Sequence, residues 1–200
     1  MSAPTREDLA RLDAADPLAG LRDAFDLPKG VIYLDGNSLG ALPKATAARV
    51  ADVVSRQWGE GLIRSWNTNG WIEAPTRVGA KIAALIGAAP HEVVVADSTS
   101  VNLFKLAAGA LALRPDRATI LTEAGNFPTD LYVLRGIEAL FRGSVSVKAV
   151  AAEDLPAAIE ADVAAVVLTH VHYKSSLRWP MAGITGLTHD HGALSIWDLS

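Results

Sequence analysis

Residues 163–198 read VAAVVLTHVHYKSSLRWPMAGITGLTHDHGALSIWD. The run from Val163 to Thr169 is uncharged, apolar up to its closing threonine and rich in β-branched residues, as a strand buried on both faces requires. Ile184 and Leu187 then recur at helical spacing over 184–191, and 193–198 returns to an apolar strand. Strand, helix and strand in this order make a right-handed crossover between parallel neighbours. The second strand ends on Asp198. A lone carboxylate there is costly unless a cation meets it, and the flanking sequence offers none.

The same alternation continues upstream. Residues 92–97 read as a strand, 98–100 as a helix start, 101–113 as an apolar helix, 118–122 as a strand and 129–142 as a helix. A strand at 144–150 and a short helix at 153–160 follow. Strands alternating with helices of this length mean an α/β fold, a mainly parallel sheet with helices on both faces. Nearer the N-terminus, 6–25 reads as an amphipathic helix broken at Asp16-Pro17. Residues 31–34 read as a strand leading into a loop with Gly36 and Gly40, 45–58 and 71–86 as helices, and 64–71 as a binding loop carrying Arg64, Trp66 and Trp71. The division expected is an N-terminal helical segment with an active-site loop over 1–60, and the front part of an α/β domain over 61–200. No internal repeat is present. A final strand without a covering helix leads us to expect a longer protein.

Composition narrows the class. Eighteen basic against 22 acidic residues give a net charge of −4 without any basic run, which disfavours nucleic acid. There is no cysteine, hence no disulfide framework or thiolate metal site. The opening Met1-Ser-Ala-Pro-Thr-Arg-Glu-Asp-Leu-Ala10 lacks the apolar core of a signal peptide, and no run is long enough for a membrane span. A cytoplasmic protein without membrane contact is expected.

In open α/β sheets ligands bind beyond the carboxyl ends of the strands, so chemistry is sought there. At Asp97-Ser-Thr-Ser-Val-Asn102 hydroxyls fall at a helix start, either as ordinary caps or as a phosphate cradle. At Glu123-Ala-Gly-Asn-Phe-Pro-Thr-Asp130 the residues suit a hydrophobic staple with Thr129 as N-cap, or an exposed Phe127 lying on an aromatic ligand. At Thr169-His-Val-His-Tyr-Lys174 the histidines alternate on one strand face, as His189 and His191 do if extended, but no third ligand stands at a recognisable spacing, so no metal is assigned. Lys174 suits a solvated loop better than a covalent role. A helix-start anion site, an aromatic face and a strand-end aspartate together match the needs of pyridoxal phosphate, whose protonated pyridine nitrogen would be the missing partner of Asp198.

With those residues in view, the sequence resembles the kynureninases, pyridoxal-phosphate enzymes of fold type I (the PLP-dependent transferase-like fold). The resemblance rests on Tyr33-Leu-Asp-Gly-Asn-Ser-Leu-Gly40, Gly61-Leu-Ile-Arg-Ser-Trp-Asn67, Ser100-Val-Asn-Leu-Phe-Lys105, Asn126-Phe-Pro-Thr-Asp-Leu-Tyr132, Leu168-Thr-His-Val-His-Tyr-Lys174 and Ile196-Trp-Asp-Leu-Ser200. It implies that Thr99 and Ser100 hold the cofactor phosphate, that Phe127 stacks on the ring, that Pro128, Thr129, Asp130 and Thr169 line its pocket, and that Asp198 pairs with the pyridine nitrogen. Trp66, Asn37 and Ser38 match positions at the substrate mouth. The reaction implied is hydrolysis of L-kynurenine, or its 3-hydroxy analogue, to an anthranilate and L-alanine in tryptophan catabolism, the kynurenine pathway and NAD biosynthesis, by a cytoplasmic homodimer. Two departures stand out. Relatives often continue Asp-Leu-Ala-His where this chain has Asp198-Leu-Ser200, and the Schiff-base lysine of the family lies further along, so residues 1–200 alone are expected to be inactive. Lys174 corresponds to a loop residue in relatives. The competing readings are another fold-type I lyase or transferase, such as a cysteine desulfurase-like protein, and a non-catalytic scaffold domain.

Overall fold

The computed structural model describes residues 3–200; Met1 and Ser2, the first residues of the stretch read for a signal core, lie outside the described residues. The chain forms two compact units, one ending at Val95 and the other spanning Ala96–Ser200. No helix among the described residues is long and apolar enough to cross a membrane.

In the first unit α1 (Arg6–Ala15) is opened by a capping box, in which Asp8 N–H donates to the Thr5 hydroxyl at 3.2 Å and Thr5 N–H donates to Asp8 Oδ2 at 2.9 Å. It stops at Asp16, one residue before the proline read as a break. Two-residue strands β1 (Phe25–Asp26) and β2 (Leu42–Pro43) pair antiparallel. The strand expected at 31–34 does not form; Tyr33 instead donates its hydroxyl to the Asp35 and Leu39 carbonyls and so closes the glycine loop. Helix α2 (Lys44–Asp52) runs into a π-helical turn at Val53–Trp58, α3 (Ser65–Thr68) is a single turn, and α4 is Ala74–Ile86. Gly87 ends α4 in the left-handed conformation at φ +74. Residues 93–94 cross α4 at Gly79, where a Cβ would sit 2.1 Å from the Val93 carbonyl oxygen, so only glycine fits. The strand expected at 92–97 is likewise absent: no strand among the described residues lies alongside it, and Val95 N–H donates to the Pro75 carbonyl at 3.2 Å.

The second unit is the sheet. It contains α5 (Thr99–Leu113), β3 (Thr119–Glu123), α6 (Pro128–Leu140), β4 (Ser146–Val150), β5 (Val163–Thr169), α7 (Met181–Asp190) and β6 (Leu194–Asp198). All four strands are parallel, in the order β4-β3-β5-β6. The helix expected at 153–160 breaks into two short turns, 152–154 and 156–158, because Pro156 cannot continue it.

Helices cover both faces, as the alternation requires. On one face Leu103, Ala107 and Leu111 of α5 and Leu134 and Ile137 of α6 pack on Ile120, Val147 and Val167. On the other, Ile184 of α7 and Leu155 and Ile159 pack on Leu121, Val166 and Leu168. A register slip between Thr119 and Ile120 against β5 puts Ala164 on the first face beside Ala165, after which strict alternation resumes. The Arg114 guanidinium donates to the Gly192 carbonyl at 2.8 Å, tying the C-terminal end of α5 to the amino end of β6. Helix α5 therefore runs antiparallel to the strands, with its first turn at their carboxyl edge.

Leu134 is fully buried and Leu140 is exposed on the same helix. Leu134→Ala should lower unfolding free energy by about 2–5 kcal/mol, whereas Leu140→Ala should stay within about 0.5 kcal/mol, read by denaturant titration.

Candidate functional site

From β3 the chain steps outward to β4, and from β5 it steps the opposite way to β6. The strand order thus reverses between β3 and β5, where an open α/β sheet leaves a crevice for a ligand. Beyond β3 the chain turns tightly, with Ala124 N–H donating to the Val150 carbonyl at 2.7 Å and Asn126 N–H to the Glu123 carbonyl at 3.1 Å. Asn126 is buried, and its side chain joins β3 to β5: Nδ2 donates to Thr122 Oγ1 at 3.2 Å, and Oδ1 accepts Phe127 N–H at 2.9 Å and Thr169 N–H at 3.2 Å. The next helix begins at Pro128, with Phe127 at the N-cap position. Thr129, read as a possible N-cap, sits instead inside the first turn and is exposed, because proline claims the first helical position.

Asp130, in the same turn, points into the crevice and is only 2% exposed. Thr169 ends β5 beside Asp198 in register and donates its hydroxyl to Asp130 Oδ2 at 3.3 Å. Asp198 is half-buried, its carbonyl accepts His170 N–H at 2.8 Å, and its Oδ1 accepts Ser200 N–H at 2.9 Å. Burial first, and the adjacent Asp198 charge second, push the Asp130 carboxyl up to about 6, against the downward pull of the Thr169 hydroxyl. A buried and a half-buried carboxyl thus share one strand edge, where a nearby positive charge would favour the ionised form of both.

The first turn of α5 opens on the same edge. Ser98 caps it, its Oγ accepting Val101 N–H at 3.4 Å, and Thr99 and Ser100 follow as the first helical residues. Asn102 Nδ2 donates to the Ala96 carbonyl at 2.7 Å, Asp97 adopts φ +42, and Lys105 pairs with its carboxylate, so the approach to the helix is locally fixed. Free N–H groups and the helix dipole make such a turn a seat for an anion.

The ring of Phe127 is 41% exposed and meets Tyr173 edge-on, with centroids 5.2 Å apart and planes at 79°. Tyr173 stacks on His172, and Lys174 Nζ sits 5.3 Å from the Tyr173 ring centre. His172 Nδ1 is occupied by the N–H groups of Lys174 and Ser175, both at 3.2 Å. His189 is helical, which overturns the extended pairing with His191. No group of three potential ligands for a metal occurs among the described residues.

The crevice therefore unites Asp130, Thr169 and Asp198 with Phe127 and Pro128, and Thr99 and Ser100 share the strand edge. Trp66, Asn37 and Ser38 belong to the first unit. Trp66 is half-exposed on α3, which replaces part of the loop expected at 64–71, and Asn37 and Ser38 are exposed in the turn closed by Tyr33. Trp71 is structural, donating its indole N–H to the buried Gln57 at 2.7 Å. Sequence reasoning missed the bridging part played by Asn126, and also Glu123, whose carboxylate accepts the Trp179 indole N–H at 3.1 Å beside a cleft of about 450 Å³.

No protein-family model matches the chain. Over 98% of its length it is 50% identical to the kynureninase of Pseudomonas fluorescens and 48% identical to that of Burkholderia pseudomallei, and it spans 48% of the length of each. Its fold is shared with a mutant of C-DES carrying glycine covalently linked to its PLP cofactor, at TM-score 0.68 and 16% identity over 88% of this chain and 49% of that one. It is shared too with the cysteine desulfurase of Thermococcus onnurineus, at TM-score 0.64 and 18% identity over 100% of this chain and 48% of that one.

The raised Asp130 carboxyl has a consequence for stability. The folded chain, with nothing bound, holds a proton that the unfolded chain has released, so stability present below about pH 4 is lost as pH rises toward about 6. Denaturation midpoints measured across this range should fall for the unliganded protein and stay flatter for Asp130→Asn.

Proposed function

We propose that the chain belongs to the kynureninases and that its crevice holds pyridoxal 5'-phosphate for the hydrolytic cleavage of L-kynurenine, or its 3-hydroxy analogue, into an anthranilate and L-alanine. What carries the reading is the carboxylate pair Asp130 and Asp198, at the strand edge of a chain half identical to kynureninases. The residues fit the group on three counts: the buried Asp130 and half-buried Asp198 suit a protonated pyridine nitrogen, the open face of Phe127 suits its ring, and the first turn of α5 suits its phosphate.

In this reading Asp198 would hold the ring nitrogen and keep it protonated. Thr169 holds Asp130, which in the absence of the cation carries the proton that relieves repulsion between the two carboxyls. Thr99 and Ser100 offer hydroxyls and N–H groups to the phosphate. Phe127 would cover one ring face and keep water from it, with Pro128 and Thr129 shaping the pocket wall. Bound there, pyridoxal phosphate would supply an electron sink for proton loss and carbon–carbon cleavage. Trp66, Asn37 and Ser38 would meet the substrate. The division into an N-terminal helical segment with an active-site loop over 1–60 and the front part of a cofactor domain over 61–200 belongs to the same proposal. So do a cytoplasmic homodimer and a place in tryptophan catabolism and NAD biosynthesis, all supported by likeness to the kynureninases.

The test uses the protein at its relatives' length with pyridoxal phosphate. Kynurenine should yield fluorescent anthranilate, and Asp198→Ala should lower kcat/KM by at least about 100-fold. Turnover of cysteine in place of kynurenine would favour the desulfurase-like reading. Borohydride reduction followed by peptide mapping should mark a lysine outside residues 1–200; a marked Lys174 would overturn the site assignment, and no marked lysine would favour a scaffold.

A further inference from the structure

We propose that Asn126 is a positioning residue of the cofactor pocket, fixing with one amide both the residue that faces the ring and the strand end that holds the carboxylates. The inference rests on the pyridoxal-phosphate reading of the site and deepens it.

The orientation of the amide follows from its partners. Thr122 is fully buried and spends its single hydroxyl proton on the Val167 carbonyl at 2.8 Å. Its oxygen is left able only to accept, so the group facing it at 3.2 Å must be the Asn126 Nδ2 donor. The amide oxygen is thereby turned toward the Phe127 and Thr169 N–H groups, and it serves both. Phe127 carries the exposed ring, and the Thr169 hydroxyl holds Asp130. One side chain thus couples the height of the aromatic face to the position of the acidic pair, across the crevice where the strand order reverses.

Other residue types fit this position worse. Alanine would leave the Thr169 N–H buried without a partner, which is costly in an interior. An ionised aspartate would keep both N–H partners but remove the donor to Thr122 and add a third negative charge near Asp130 and Asp198. A protonated aspartate restores the pattern, since its O–H donates to Thr122 and its carbonyl oxygen accepts the two N–H groups.

That difference supplies the test, performed on the protein at its relatives' length. Pyridoxal phosphate is titrated into wild type, Asn126→Ala and Asn126→Asp, with the dissociation constant and the visible circular dichroism of the bound cofactor recorded between about pH 5.5 and 8. For Asn126→Ala the dissociation constant should rise roughly 10- to 100-fold and the dichroism should weaken. Asn126→Asp should lie within a few-fold of wild type at the acid end and lose affinity relative to it as pH rises. Unaltered affinity and dichroism in Asn126→Ala would overturn the proposal. Should Asn126→Ala fail to fold, an Asn126→Asp protein no closer to wild type at low pH than at high pH would overturn it equally. A wild type that binds no pyridoxal phosphate would overturn the functional reading itself, and this inference with it.

Discussion

The candidate site of the second unit turns on a pair of carboxyl groups that the sheet brings together. Asp130 lies in the first turn of α6 and Asp198 at the end of β6, and they approach because β5 separates β3 from β6 by a single strand. Thr169, at the end of that strand, bonds one and pairs in register with the other. Burial first, and the nearby Asp198 charge second, raise the Asp130 carboxyl to about 6. Ionising both carboxyls at this edge is costly, and a cation placed there would offset that cost.

The remaining parts of the site follow from the same topology. A parallel strand must be followed by a connection that starts at its carboxyl end, so the turn after β3 inevitably places Asn126, Phe127 and Asp130 beside the crevice. Helix α5 is antiparallel to the strands, and the Arg114 bond to Gly192 anchors its far end. Its first turn, with Ser98 as cap, consequently faces the same carboxyl edge of the sheet.

Much of this was legible in the sequence, and the limits are physical. The run 163–169 is apolar enough to have only one reading, and β5 occupies those residues. The helices after β3 and β5 declared themselves through spacing, although their starts lie at Pro128 and Met181 rather than at 129 and 184. The apolar runs 31–34 and 92–97 read equally well as strands, but a strand exists only through a partner, and none among the described residues lies beside them. Asp198 announced a missing counter-charge, whereas its neighbour Asp130 did not, since their approach depends on strand order, which no local pattern encodes. The stitching role of Asn126 was hidden for the same reason: its partners Thr122 and Thr169 come from different strands. Trp71 looked like a ligand contact and turned out to pair with Gln57.

In the proposed function Asp198, backed by Asp130, would keep a bound pyridine nitrogen protonated. Nitrogen-15 NMR of ring-labelled pyridoxal phosphate bound to the protein reads that proton directly. A protonated ring nitrogen at neutral pH in wild type, lost in Asp198→Ala, is the result predicted; an unprotonated ring nitrogen in wild type would contradict the account.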